Sequence, residues 1–179
     1  MTEPDRRILV SVTGMTPQVV TETLYALVTQ DHAVPTEIHL ITTANGRNRA
    51  LRDLLDSQTG QFHAFCRDYD LVGRIRFDDS MIHVICDANG HPLSDIRTQD
   101  DNTQAADLIV RLMQQFCSDS EASVHVSLAG GRKTMSFFRR LCAFAFRTLP
   151  RSTFPCSCLG ALRKQPRFLL SDTNPAHDF

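Results

Sequence analysis

The chain has 179 residues, enough for one well-cored domain and too few for two of ordinary size. Hydrophobic residues at 42% and charged residues at 22% give the balance of a globular protein rather than a disordered or fibrous one. A formal net charge of −1 excludes the broad basic surface needed to coat long nucleic acid, but leaves room for a small anionic ligand held by a few local cations.

Residues 7–12 (RILVSV) predict a buried strand that runs into a polar, glycine-containing loop, Thr13-Gly14-Met15-Thr16-Pro17-Gln18. Apolar residues then recur near a period of 3.6, at Val19, Val20, Leu24, Leu27 and Val28, and predict a helix. Thr16 suits its N-cap and Pro17 its first position, where a missing N–H costs nothing. A second strand is expected over residues 37–43, followed by a loop from Thr42 and Thr43 through Ala44, Asn45 and Gly46. Residues 47–56 have helical apolar spacing, and Gly60 separates them from a short helix carrying Phe62 and Phe65. A third strand is expected over residues 81–85. The run Asp87-Ala88-Asn89-Gly90-His91-Pro92 is dense in turn formers and predicts a loop. Asp101 or Asn102 is the expected cap of the next helix, whose inner face holds Leu108, Ile109, Leu112, Met113 and Phe116. A fourth strand over residues 123–126 leads into Ser127-Leu128-Ala129-Gly130-Gly131-Arg132-Lys133-Thr134-Met135, and a helix with Phe138, Leu141 and Ala145 on its apolar positions follows. Strands alternating with helices imply an α/β, Rossmann-like three-layer sandwich with a mainly parallel sheet and right-handed crossovers.

Two loops of this kind after two parallel-type strands converge on one site. In open α/β sheets such loops meet outside the carboxyl ends of the strands, where ligands bind. In the second loop two glycines permit close backbone approach, a helix start supplies amides, and Arg132 and Lys133 supply full positive charge. That combination suits an anion, with phosphate the leading choice. A P-loop is excluded by spacing: Arg132 separates Gly131 from Lys133, and the upstream glycine of GxxxxGK[ST] is missing. The dinucleotide fingerprint GxGxxG is absent after the first strand.

Ser11, Thr13 and Ser127 are the nucleophilic candidates. His39, His83 and His125 fall on strands, where a satisfied sheet-face histidine is the simpler reading. The segment Arg76-Phe77-Asp78-Asp79-Ser80-Met81-Ile82-His83 loosely fits the Arg-x(4–6)-His pattern of HEPN ribonucleases, but those residues belong on a long helix and these lead into a strand. Among the six cysteines, Cys117 and Cys142 lie in helical apolar positions as small hydrophobes. Cys156-Ser157-Cys158 is not a recurrent zinc spacing, so no metal and no cofactor is expected. No apolar run reaches membrane-spanning length and Met1-Thr2-Glu3-Pro4-Asp5 is not a signal peptide, which points to a reduced, cytoplasmic setting without membrane contact.

The stretches SVTGMTPQVVTETLYAL from Ser11, LITTANG from Leu40, PLSDIRTQDDNTQAADLI from Pro92 and SLAGGRKTM from Ser127 resemble CARF domains associated with CRISPR systems, and most closely the small NE-type family of CRISPR-associated proteins. The resemblance covers roughly residues 7–149. It implies a homodimer that binds cyclic oligoadenylate, the second messenger of type III CRISPR complexes, across its two-fold axis. On that reading Gly130, Gly131, Arg132 and Lys133, flanked by Ala129 and Thr134, face phosphates. Residues 13–18, among them Gly14, Met15, Thr16 and Gln18, face ribose or phosphate, and the loop holding Thr42, Thr43, Asn45 and Gly46 faces adenine edges. Two functions remain open. One is a metal-independent ring nuclease that cuts cyclic tetra- or hexa-adenylate, with Lys133 stabilising charge, Arg132 supporting it, and Ser11 or Thr13 orienting the ribose 2′-OH. The other is a non-catalytic sensor that signals to a separate effector.

The resemblance is expected to end near Arg151, giving a domain over residues 1–150 and a divergent tail over residues 151–179. Family members continue with a strand resembling HVLVS, then EPFE and FFYP. Suitable codons for Phe154 to Thr173, read in a shifted frame, can encode FHVLVSEPFENNPDFFYPT, so two readings of the tail stand: a frameshifted version of that ending, or a genuinely divergent one. As it stands, Pro155 would disrupt a central strand.

Overall fold

A computed structural model describes residues 6–30, 33–119 and 121–128. The helix expected after Lys133, the glycine-rich loop from Ala129 and the tail over residues 151–179 lie outside the described residues.

Among the described residues four strands form one sheet: β1 (Arg6–Val12), β2 (Glu37–Thr42), β3 (Ile82–Val84) and β4 (Ala122–Leu128). Their spatial order is β3-β2-β1-β4 and every pairing is parallel. Parallel neighbours need crossovers, and the intervening chain supplies them as helices α1 (Val19–Thr29), α2 (Ala44–Asp53), α3 (Gln61–Asp68) and α4 (Gln99–Cys117). The result is the expected Rossmann-like α/β sandwich.

The two faces of the sheet separate by side-chain alternation. Leu9, Ile38 and Leu40 point to one side and pack with Val20 and Leu24 of α1, Ala50 of α2, and Phe62 and Phe65 of α3. Ile8, Val10, Val12 and Ile41 point to the other, where Ile109, Leu112 and Phe116 of α4 cover them. Both faces of β1 are thus sealed, which is why its sequence is an unbroken apolar run rather than an alternating one. Burying each such side chain contributes about 1.5–3 kcal/mol. Cys66, Cys86 and Cys117 are free thiols, and burial raises the pKa of Cys66 and Cys117.

Several element boundaries differ from the sequence expectation. Helix α1 begins at Val19, not at Pro17: Pro17 and Gln18 form a preceding turn closed by Val20 N–H to the Pro17 carbonyl, and Gln18, without a side-chain cap, stands where Thr16 was expected. Helix α2 begins at Ala44, three residues early, because Thr43 caps it by accepting from Gly46 N–H at 3.3 Å. Asn45 and Gly46 therefore sit in a first helical turn rather than in a loop. Strand β3 is shorter than expected, since Asp78 accepts from Ser80 N–H and folds Asp79–Met81 into a 3-10 turn. Thr98, not Asp101 or Asn102, caps α4. Its hydroxyl accepts from Asp101 N–H at 3.0 Å while the Asp101 carboxylate accepts from Thr98 N–H at 2.8 Å, a capping box.

Candidate functional site at the carboxyl end of the sheet

The chain runs from β1 outward through β2 to β3, then returns to the other side of β1 as β4. The order therefore reverses between β1 and β4, and outside their carboxyl ends an open α/β sheet has its natural binding crevice. Val12 lies opposite Leu128 in register, so the chain leaves both strands side by side. Of the two loops singled out in the sequence, the first leaves β1 at this edge, beside Ser127 and Leu128 of β4. The first is described in full; Ala129, Gly130, Gly131, Arg132, Lys133 and Thr134 lie outside the described residues.

Ser11 is completely buried in β1, between Leu40 and Ser127 in register, and Thr13 is buried just past the strand end. The Thr13 N–H donates to the Ile41 carbonyl at 3.1 Å, which holds the backbone to the neighbouring strand. Neither hydroxyl has a hydrogen-bond partner among the described residues. Leaving a buried polar group unpaired costs about 1–3 kcal/mol, so these two, on alternate residues at a switch point, carry a cost in stability. Ser127, the third candidate, differs: its Oγ lies 2.8 Å from Thr23 Oγ1 of α1 and is already committed to joining β4 to that helix.

Gly14, Met15 and Thr16, which follow in the chain, are exposed, as is Gln18. The end of strand β2 and helix α2 hold this loop from the side. Thr42 Oγ1 donates to the Gly14 carbonyl at 3.1 Å, and an Arg49 Nη donates to the Met15 carbonyl at 3.2 Å. Gly46 makes the approach possible, because a Cβ there would collide with Thr42 Oγ1 and stand 2.5 Å from the Gly14 carbonyl oxygen. The segment after β3 closes the edge, with the Leu93 carbonyl accepting from Ala44 N–H at 2.8 Å. With Gly46 N–H on Thr43 Oγ1 and Arg47 N–H on the Thr43 carbonyl, the start of α2 is largely satisfied from within. Of the expected Thr42–Gly46 contact set, Asn45 is the exposed member, while Thr42, Thr43 and Gly46 are buried.

The strand histidines occupy a different region. His39 Nδ1 and His83 Nε2 are 2.9 Å apart and the rings stack; Phe116 of α4 lies 4.4 Å from the His39 ring. Burial lowers the pKa of both, partly opposed at His39 by Glu37. The His39 Nε2 is 3.6 Å from Glu37 Oε1 and makes no hydrogen bond, so this histidine is only half satisfied. Burial acts to raise the Glu37 pKa, but hydrogen bonds from Arg6 and Arg76 outweigh it and lower it overall. Arg76 bonds Glu37 at 2.6 Å while His83 bonds His39, so the Arg-x-His spacing builds no nuclease pair. Among the described residues no three His, Cys, Asp or Glu side chains gather into a metal-ligand set, and no helix is long and apolar enough to cross a membrane.

Sequence reading missed Arg49 and the Leu93 carbonyl. The signal for Arg49 was its position three residues after Gly46, one helical turn up the face that meets the first loop, but that follows only once α2 is known to start at Ala44. No curated protein and no solved structure matches the chain. Residues 16–147, from the end of the first loop through strands β2, β3 and β4 and the glycine-rich stretch of the sequence, match the family model described as CRISPR-associated protein NE0113. The chain belongs to that CRISPR-associated family.

Proposed function

We propose that the protein binds a cyclic oligoadenylate at the carboxyl end of its sheet, across the two-fold axis of a homodimer, and opens the ring. The observation that carries this reading is the pair of buried, unpartnered hydroxyls, Ser11 and Thr13, at the switch point of a chain from a CRISPR-associated family. A symmetric ring suits a C2 dimer, which presents each loop twice. In the reaction the ribose 2′-oxygen bonds to the adjacent phosphorus, the bond to the 5′-oxygen breaks, and that oxygen takes up a proton. The products are a 2′,3′-cyclic phosphate and a free 5′-hydroxyl. Positioning and charge stabilisation are the main requirements. Thr13, at the strand end, orients the 2′-OH, with Ser11 one pleat deeper as the competing assignment. Lys133 stabilises the charge that builds on phosphate, Arg132 supports it, and Gly130 and Gly131 let backbone amides approach. Met15, Thr16 and Gln18 face ribose or phosphate, and Asn45 faces an adenine edge.

The test is incubation of the protein with cyclic tetra- and hexa-adenylate in the presence of EDTA. Linear products ending in a 2′,3′-cyclic phosphate are expected. Lys133→Ala should slow single-turnover cleavage by roughly 10²-fold or more, the scale of losing one charge-stabilising donor, with a smaller effect on binding. Tight binding without cleavage replaces the nuclease by a sensor, and binding of neither ring overturns the site.

A further inference from the structure

We infer that Arg49 is a phosphate-contacting residue of this face, holding the first loop through the Met15 carbonyl and presenting its remaining N–H groups to an anionic phosphodiester. The inference rests on the reading of this face as the cyclic oligoadenylate site and adds a cation from a helix that the loop motifs do not include.

The arginines around it are committed. Arg47 pairs with Asp79 at 2.7 Å, Arg52 with Asp53 at 2.8 Å and Arg97 with Asp95 at 3.5 Å. Arg49 has no carboxylate partner among the described residues. It is exposed, and its one bond is to a neutral backbone oxygen at 3.2 Å. A guanidinium has five N–H donors in a planar fork, so one bond to Met15 leaves enough for a bidentate contact with phosphate.

Placement gives that charge a purpose. Gly46 admits α2 against the loop so closely that no side chain fits between them, and Thr42 Oγ1 fixes the Gly14 carbonyl. Arg49 therefore lies one turn along a helix that is locked to the loop, over a strand end carrying two unpartnered buried hydroxyls. A cation held on a rigid element is pre-organised for an anion, and little is lost in ordering it on binding.

The experiment is calorimetric titration of the full chain with cyclic tetra- and hexa-adenylate at several salt concentrations. Compared are the unsubstituted protein, Arg49→Ala, Arg49→Lys, and Arg52→Ala as a control cation on the same helix. Arg49→Ala is expected to weaken binding about 10- to 100-fold for each of the two copies that face the ring, about 10²- to 10⁴-fold in all, and to reduce its salt dependence. Arg49→Lys should recover part of the affinity and the salt dependence, since it restores the charge without the fork. Arg52→Ala should leave both unchanged. Weakened binding with undiminished salt dependence would show that Arg49 acts only through the loop and would overturn the phosphate contact. Undiminished binding by Arg49→Ala would overturn it while leaving the site reading intact. Failure of the unsubstituted protein to bind either ring would remove the site and this contact together.

Discussion

At the scale of single residues, the unpaired hydroxyls of Ser11 and Thr13 separate stability from function. A core apolar residue such as Leu40 supports the fold by filling space, and truncation to alanine there should cost about 2–5 kcal/mol. Ser11 is equally buried but has no hydrogen bond to lose. Ser11→Ala removes an unsatisfied polar atom, so stability should hold or rise by about 1 kcal/mol in a urea titration. The same variant should cleave more slowly if Ser11 orients the nucleophile, and the isosteric Thr13→Val should do so if Thr13 has that role. A stability loss above about 1 kcal/mol for Ser11→Ala would mean the hydroxyl has a structural duty, and the argument from unused polarity would fall. Gly46 has the opposite character: it does nothing chemically, yet any larger residue would push α2 away from Gly14 and move the loop.

At the scale of elements, helix starts are where polar side chains take over from the apolar period. Thr98 and Asp101 bond each other's backbone N–H groups at the start of α4, and Thr98→Ala should cost about 0.5–2 kcal/mol in denaturant unfolding. Thr103, on the exposed face with its hydroxyl on the Gln99 carbonyl, is the control; an equal loss for Thr103→Ala would deny the capping box its role. These starts also show what the sequence disclosed. Strands β1 and β2 and helices α1, α3 and α4 were legible because their apolar residues repeat with the period of the element. The start of α2 was not, because ANGRNR has no apolar period: Thr43 and the contact of Gly46 with the first loop fix it. The start of β3 at Ile82 instead of Met81 was also hidden, since the Asp78 cap folds Asp79–Met81 into a 3-10 turn. The site divides the same way. Ser11 and Thr13 were visible as hydroxyls ending an apolar strand, whereas Arg49 becomes meaningful only when helix register and a distant carbonyl are known.

At the scale of the whole molecule, an ionic and imidazole network centred on the buried Glu37 and the largely buried His39, with more exposed arginines reaching in, ties strands to the chain around them and makes folding sensitive to acid. Glu37 on β2 receives Arg6 from β1 and Arg76 from the segment before β3, while Arg6 also reaches Asp119 after α4. Beside it His39 and His83 share one hydrogen bond under Phe116. Burial lowers both imidazole pKa values, with Glu37 opposing at His39 and the His39 charge adding at His83. The sign follows directly. Below the unfolded histidine value of about 6.5, the unfolded chain takes up protons that the folded one refuses, so stability is fully present above that pH and declines as pH falls through it. Two such groups limit the slope to about 2.7 kcal/mol per pH unit. Glu37 adds a lower window: its depressed folded pKa gives stability that is present above the unfolded carboxylate value and lost as pH falls through the folded one. Melting temperature should therefore drop between pH 7.5 and 5.5 and drop further below pH 4.5. His83→Gln, which removes one imidazole but keeps a hydrogen-bonding group beside His39, should flatten the upper window and leave the lower one. A melting temperature that is level or rises from pH 7.5 to 5.5 in the unsubstituted protein would show that the imidazoles accept protons in the folded state, and the network would then be an ordinary solvated cluster rather than a buried one.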